Sequence, residues 1–173
     1  MNNNKNGRLV DKEGNVRWFK DNNLHREDGP AYEGVNGTRH WVLDGQLHRM
    51  NGPAIEQADA KEWWLHGEQH RVGGPAVEWA NGDKEWLQHG HLHREDGPAI
   101  EKADGAKQWW VNGKLHREDG PAWINADGTE HWWKNGEPFT PTKELEPDAI
   151  ADRIKAIRSL YTKGKVKEHK LNF

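Results

Sequence analysis

The chain has 173 residues, of which only 33% are hydrophobic and 31% are charged, so one repeat array or one thin domain is expected rather than a thick globular core. Cysteine is absent and serine occurs only at position 159, which excludes a disulfide framework, a thiolate metal site and nucleophilic triads of the Ser or Cys kind. Residues 1–139 carry 17 Lys and Arg against 23 Asp and Glu (−6), and residues 140–173 carry 8 against 5 (+3), so the first part is unsuited to binding nucleic-acid phosphates.

From about residue 6 to residue 139 the sequence is a tandem repeat. The string LHREDGPA stands at 24–31, 92–99 and 115–122, and altered copies stand at 47–54 and 69–76. Its histidines lie at 25, 48, 70, 93 and 116, so the period is 22 or 23 residues. A tryptophan precedes each histidine by seven residues (Trp18, Trp41, Trp63, Trp86, Trp109), and Trp132 begins a sixth unit. Residues 1–139 therefore hold five full units with a partial unit at each end.

Each unit carries two turn signals. Asn112-Gly113 between apolar residues predicts a two-residue type I′ turn, which pairs Trp110 with Leu115 and Trp109 with His116. The same slot reads Asp44-Gly45, His66-Gly67, His89-Gly90 and Asn135-Gly136, and in the first unit Asp21-Asn22 or Asn22-Asn23. A second signal, such as Asp104-Gly105, precedes the next tryptophan. The fold class predicted is mainly β: an elongated antiparallel sheet of ~23-residue β-hairpin repeats, with equivalent residues ~10 Å apart.

The segment between the histidine and the next turn predicts one strand with a kink or bulge at Asp-Gly-Pro. Asp, Asn or Gly precedes the glycine, which favours a turn geometry rather than a required charge. We expect the glycine itself, such as Gly97, to adopt a positive φ.

The repeats resemble the MORN-repeat family in its divergent bacterial and phage form. WVNGKLH (110–116) and WKNGEPF (133–139) match the first half of a MORN unit, and NGDKEW (81–86) resembles its later turn, whereas REDGPA departs from the family's His-Gly-x-Gly. The resemblance implies an elongated antiparallel sheet with an aromatic groove, used for protein scaffolding and sometimes dimerisation or lipid contact. It implies no catalytic residues.

Residues 140–173 have a different character: a linker, an amphipathic helix at about 147–162, and a basic tail. Pro147 suits a first helical turn, and Ile150, Ile154, Ile157 and Tyr161 form one apolar stripe. We expect this helix to cap the last hairpin, and the alternative is a docking helix for a partner or a second copy. A homodimer could form through this helix or through a sheet edge.

Two columns of the repeat are open to a structural and a functional interpretation. The arginines Arg26, Arg49, Arg71, Arg94 and Arg117 can pair with Glu33, Glu56, Glu78 and Glu101, which repeat in step, or can bind anions beside stacked tryptophans. We favour the ion pairs, because the acids match the bases in number. The motif histidines are too far apart to share a zinc ion, so no metal site is predicted.

The residues that break the regular pattern are the better candidates for binding. Surplus tryptophans concentrate after residue 62, and tryptophan is enriched at binding hot spots. The predicted binding residues are Trp64, Trp79, Trp110, Trp123, Trp133, Arg94, Arg117, His93 and His116. No catalytic residue and no cofactor is predicted.

The sequence favours a non-enzymatic, tryptophan-rich repeat scaffold that binds a protein partner, for which a phage or mobile-element inhibitor of a host factor would be a natural role. The alternative is a protein that captures a small nucleotide or another anionic ligand by Trp stacking and Arg contacts. No apolar run reaches membrane-spanning length and the first residues lack a signal-peptide pattern, so we expect a cytoplasmic protein, in the host cell if phage-encoded.

Overall fold

The structure is a computed structural model, which describes residues 5–141 and 154–155. The chain divides into two compact units, Met1–Phe139 and Thr140–Phe173. All the strands of the described residues lie in the first unit, and the following paragraphs concern that unit.

Its strands are short and follow one another in the order of the repeats. They are β1 (Gly7–Val10), β2 (Val16–Lys20), β3 (Asn23–Leu24), β4 (Tyr32–Glu33), β5 (Arg39–His40), β6 (Val42–Leu43), β7 (Gln46–Leu47), β8 (Ile55–Glu56), β9 (Ala60–Glu62), β10 (Trp64–Leu65), β11 (Glu68–Gln69), β12 (Val77–Trp79), β13 (Lys84–Glu85), β14 (Leu87–Gln88), β15 (His91–Leu92), β16 (Ile100–Glu101), β17 (Lys107–Gln108), β18 (Trp110–Val111), β19 (Lys114–Leu115), β20 (Trp123–Ile124), β21 (Glu130–His131), β22 (Trp133–Lys134) and β23 (Glu137–Pro138).

Thirteen of these strands form one long antiparallel sheet. Its order is β1-β2-β4-β5-β8-β9-β12-β13-β16-β17-β20-β21, and β3 pairs with β2. Every full unit thus contributes two strands to the long sheet, which confirms the mainly β, antiparallel hairpin array. In four of the turns between these strands an Asn or Asp side chain accepts a backbone N–H two residues on, as Asp104 does from Ala106 at 2.9 Å.

The remaining strands form short hairpins, one per unit: β6–β7, β10–β11, β14–β15, β18–β19 and β22–β23. Their register is the predicted one, with Trp110 opposite Leu115 and Val111 opposite Lys114. Asn112 and Gly113 have φ of 50° and 73°, as a type I′ turn requires. The first unit uses Asp21-Asn22, with φ of 49° and 69°. In each later turn the glycine N–H donates to the preceding hairpin, for example Gly113 to Leu92 at 2.9 Å, so the hairpins are joined along the array.

In each unit the chain passes from the long sheet to a short hairpin at the tryptophan that precedes the motif histidine by seven residues. We call these the column tryptophans: Trp18, Trp41, Trp63, Trp86 and Trp109. Trp86 donates its N–H to the carbonyl of Ala99 at 2.8 Å, and His93 donates to the carbonyl of Trp86 at 3.0 Å. The same two bonds recur in every full unit. The five alanines of the GPA motif are fully buried there: Ala31, Ala54, Ala76, Ala99 and Ala122. Only a side chain as small as alanine fits between these closely spaced backbones.

The core is thin and lies between the short hairpins and the long sheet. Ala76, Val77 and Leu87 form its buried cluster, with Trp79 and Leu92 packed against it. Val77 comes from the long sheet and Leu87 from a short hairpin, so the two rows pack on each other. The column tryptophans are only half-buried, and they flank this core rather than fill it.

Two sequence predictions need correction or fall outside the description. The segment 91–101 is not one kinked strand, because β15 and β16 belong to different sheets and His93–Ala99 runs as a loop between them. Pro98 has no N–H to donate to a ladder, and its carbonyl accepts a side-chain bond instead. The predicted capping helix at about 147–162 lies outside the described residues, apart from residues 154 and 155.

The buried alanine column gives a first test. Ala99→Val adds two methyl groups at a site with no free space, and should lower the free energy of unfolding by about 1–3 kcal/mol. Ala103→Val is the control, since Ala103 is exposed and Val35 already fills the equivalent slot of the first unit. Chemical denaturation measures both. Equal stabilities of the two variants would contradict the close packing described for Ala99.

Candidate functional site

The arginine of each motif stacks on the column tryptophan of its own unit. The distances from guanidinium carbon to ring centroid are 4.5 Å for Arg26–Trp18, 3.7 Å for Arg49–Trp41 and Arg71–Trp63, 4.0 Å for Arg94–Trp86 and 4.1 Å for Arg117–Trp109. A cation over a tryptophan face is worth about 0.5–2 kcal/mol, depending on desolvation. The sequence did not predict this pairing, since it placed the histidine opposite the tryptophan.

The glycine before each proline lies against the other side of the guanidinium. A Cβ placed on Gly97 would lie 3.0 Å from Arg94 Cζ, and one on Gly120 would lie 2.8 Å from Arg117 Cζ. The φ of Gly97 is outside the left-handed region, so the predicted positive φ is wrong. Glycine is required here because the guanidinium fills the space that a side chain would take.

Hydrogen bonds hold each guanidinium in this position. Arg94 Nη1 donates to the carbonyl of Pro98 at 3.1 Å and to Glu101 at 2.9 Å. The predicted Arg–Glu ion pairs are confirmed in four units: Arg26–Glu33, Arg49–Glu56, Arg71–Glu78 and Arg94–Glu101. In the fifth unit Ile124 takes the place of the glutamate.

An aspartate of the loop also contacts the guanidinium in three units. Arg26, Arg94 and Arg117 donate through Nε to Asp28, Asp96 and Asp119, each at 2.8 Å. These bonds hold the pKa of the three aspartates below their ordinary range. The other two units have Asn51 and Gly73 in that slot, and their guanidinium groups keep the same stack without it.

The motif histidine joins its unit to the next one. Its Nδ1 accepts the backbone N–H of the first residue in the next type I′ turn, as His93 does from Asn112 at 3.2 Å. The equivalent bonds are His25–Asp44, His48–His66, His70–His89 and His116–Asn135, at 3.1–3.2 Å. The donor is a main-chain amide, so the bond needs an unprotonated Nδ1.

We call the five residue pairs between the arginine and the glycine the loop tips, numbered 1 to 5. They are Glu27-Asp28, Met50-Asn51, Val72-Gly73, Glu95-Asp96 and Glu118-Asp119. All are exposed, and they are the part of the motif that differs among units. Grooves open between tips 2 and 3, 3 and 4, and 4 and 5, with volumes of about 580, 640 and 490 Å³.

Four of the predicted binding residues lie together in these grooves. His93 and Arg94 line the groove between tips 3 and 4 with Trp86, and His116 and Arg117 line the next one with Trp109. Their ring and guanidinium groups also make the joints described above, so they form the walls of the grooves rather than free ligand-binding groups.

The five predicted tryptophans do not line these three grooves. Trp64 and Trp110 are half-buried on the short hairpins, and their Nε1 atoms donate to Glu62 and Gln108, each at 2.9 Å. The ring of Trp123 lies against that of His131 in a tilted arrangement, with 5.0 Å between the ring centroids. The other two are Trp79, which lines a separate cavity of about 230 Å³, and the half-buried Trp133. Their part in binding stays a prediction.

Sequence reasoning missed the loop tips as candidates. The signal was present, because the slot after the arginine reads Glu, Met, Val, Glu, Glu in a motif whose histidine, arginine, Gly-Pro and alanine are the same in all five units. A position that varies within a regular array is free of the packing that fixes its neighbours.

Comparison with models of known protein families finds no match, and comparison with curated proteins finds none either. The repeated antiparallel hairpins are compatible with a MORN-like repeat. In the described part of the chain no three His, Asp or Glu side chains are grouped to hold a metal ion. No helix among the described residues has the length and apolar character needed to cross a membrane.

The guanidinium stack predicts a coupling between residues 94 and 97. Gly97→Ala should cost about 1–2 kcal/mol of unfolding free energy, because the new methyl group displaces a guanidinium held by three partners. In an Arg94→Ala background the same change should cost at least about 0.5 kcal/mol less. A double-mutant cycle by chemical denaturation measures the difference. Additive effects would show that the glycine is required for another reason.

The lowered pKa values of three histidines lead us to expect that the folded chain loses stability in mild acid. Burial lowers the pKa of His40, His48 and His70, and the facing His66 and His89 lower the last two further, whereas Glu68 opposes this at His70. Below the ordinary histidine pKa of about 6.5 the unfolded chain binds more protons than the folded one. The unfolding free energy should therefore be at its maximum above about pH 6.5 and decrease as the pH falls below that value.

The matched variant for this test is His66→Asn with His89→Asn. Asparagine fills the same turn slot at Asn112 and Asn135, so the turn and the Nδ1 joint are kept while the facing rings, 4.4 Å apart in each pair, are removed. Denaturation between about pH 7.5 and 5.5 should show a smaller acid loss in this variant. A wild-type stability that is flat across this range would contradict the neutral-histidine joints.

Proposed function

We propose that the chain is a non-enzymatic repeat scaffold of the MORN-like kind that binds a protein partner along its loop tips. The observation that carries the proposal is the contrast within one motif. The arginine, glycine and proline of every loop are held in the same arrangement, while the two exposed residues between arginine and glycine take three different forms among the five units. A rigid frame with variable exposed positions suits recognition of an extended protein surface, because little conformational entropy is lost on binding.

The grooves between the tips support this reading. They are open troughs with rows of exposed side chains on their rims, and each has a column tryptophan in its wall. A partner side chain entering such a trough would meet an aromatic wall and a polar rim, which is the usual arrangement at protein interfaces.

Capture of a small nucleotide is the weaker candidate. A phosphate group would need free guanidinium donors, and Nη1 of each arginine already donates to a proline carbonyl. Carboxylates also line the two grooves that hold His93, Arg94, His116 and Arg117. An anion placed there would be repelled by Glu95, Asp96, Glu118 and Asp119.

The test replaces the first residue of all five tips by serine. Glu27→Ser, Met50→Ser, Val72→Ser, Glu95→Ser and Glu118→Ser leave the stacks intact, because these side chains are exposed and vary naturally. Chemical crosslinking in native cells, followed by mass spectrometry, should find a protein bound to wild type and lost from this variant. A panel of nucleotides in a thermal-shift assay tests the weaker candidate in parallel.

The control carries five serines in turns that join paired strands of the long sheet, at the strand ends away from the short hairpins. They are Glu13→Ser, Val35→Ser, Ala58→Ser, Ala103→Ser and Ala126→Ser, all at exposed positions. The control should retain the partner. Capture that survives the tip variant, or a shift of several degrees with one nucleotide and no captured protein, would contradict the proposal.

A further inference from the structure

The row of loop tips changes chemistry in its middle. Tips 1, 4 and 5 read Glu-Asp, whereas tips 2 and 3 begin with Met50 and Val72, which are 78% and 77% exposed. These are the two most exposed large hydrophobic side chains among the described residues. Nothing in the fold requires them, since glutamate fills the same slot in the other three units. Two adjacent units therefore present apolar side chains to solvent, although only 33% of the residues of the chain are hydrophobic.

The groove between tips 2 and 3 is likewise more apolar than the neighbouring grooves. Its lining includes Met50, Val72, Trp63 and Leu65, and contains no carboxylate. Its two guanidinium groups, from Arg49 and Arg71, are each paired at 2.8 Å with a glutamate of the long sheet. The groove is thus an apolar trough of about 580 Å³ whose positive charges are already compensated.

Carboxylates flank this trough on both sides. The tip aspartates are 82–85% exposed, and each faces the one arginine of its loop. The tip glutamates have cationic or imidazole neighbours: Glu27 lies 3.4 Å from His25, Glu95 lies 3.8 Å from His93, and Glu118 forms an ion pair with Lys134 at 3.2 Å. Tips 1 and 4 therefore each hold two carboxylates against one guanidinium that also faces Glu33 or Glu101, whereas tip 5 holds two carboxylates against Arg117 and Lys134.

The spacing of the row follows from the long sheet. Each unit contributes two strands, so successive tips lie about 10 Å apart. The centre of the apolar trough is then about 15 Å from tip 1 on one side and about 15 Å from tip 4 on the other. An extended polypeptide covers about 15 Å with four or five residues.

We propose that the partner of the loop tips is a basic polypeptide segment that places aliphatic side chains in the Met50–Val72 trough and lysines or arginines on tips 1, 4 and 5. This rests on the proposed function and names the chemistry of its partner. The aliphatic group supplies the burial, and the cations supply register and orientation. Charge complementarity favours this occupant over an anionic membrane surface or a nucleic acid, which the flanking carboxylates would repel.

The probe is a synthetic peptide with a Leu-Leu centre and two lysines on each side, separated by Gly-Ser spacers, with a fluorescent label for polarisation measurements. Two comparison peptides replace the leucines by serines and the lysines by glutamates. The first peptide should bind wild type at least tenfold more tightly than either comparison peptide. Raising the salt concentration should weaken it, because its charge contacts are exposed.

Variants that borrow residues from other units locate the site without disturbing the loops. Met50→Glu with Val72→Glu gives tips 2 and 3 the residue that tips 1, 4 and 5 already carry, and should weaken the peptide at least tenfold. Glu95→Gln with Glu118→Gln should weaken it severalfold. Val35→Glu adds a charge at an exposed turn between β4 and β5, at the strand ends away from the loop tips, and should leave binding unchanged.

Three outcomes would overturn this assignment: no difference among the peptides, equal or tighter binding after Met50→Glu with Val72→Glu, or equal loss with Val35→Glu. The same peptide should also compete with a partner captured in native cells. A partner that depends on the tips but is not displaced by the peptide would retain the proposed function and reject the basic, aliphatic segment.

Discussion

The guanidinium held between a tryptophan ring and a glycine is the contact on which the rest of the array depends. It joins the point where the chain enters a short hairpin (Trp86), the loop after that hairpin (Pro98) and the next strand of the long sheet (Glu101). An exposed Arg–Glu pair contributes about 0–1 kcal/mol by itself, and a cation–π stack adds a comparable amount. Together they fix a loop that has no strand partner, and the loop in turn places Ala99 in the closely packed space between the backbones.

This arrangement explains how a chain with few hydrophobic residues keeps a regular fold. The buried core consists of alanines and a few valines, leucines and isoleucines, and Val77 is the largest fully buried side chain in the described residues. Contacts that recur in each unit supply stability that a larger hydrophobic core would otherwise give. They are the guanidinium stack, the bond that the histidine Nδ1 accepts from the next turn, and the hydrogen bond that the turn glycine N–H donates to the preceding hairpin. A repeat array needs each of these only between neighbours, so a small stabilisation per unit is sufficient when it is repeated.

The same recurrence separates frame from surface. Where a contact fixes a residue, all units carry the same type, as with arginine, glycine and proline. Where a residue projects into solvent, the units differ, and the row Glu, Met, Val, Glu, Glu is the clearest instance. The surplus tryptophans at 64 and 110 are a different kind of variation, because each pairs with a polar partner on the long sheet, Glu62 or Gln108, that can accept its indole N–H.

The sequence by itself determined the period, the type I′ turns and the hairpin register, because Asn-Gly chemistry and the two-residue alternation of strands act between residues close in the chain. It also paired the arginines with the glutamates in step, since both recur at the same spacing. The tertiary structure decided which group stacks on the tryptophan, why Gly97 is a glycine and how deeply the alanines are buried. These depend on the path of a loop with no regular hydrogen bonding and on contacts with the neighbouring unit, and a local pattern of residues does not encode either.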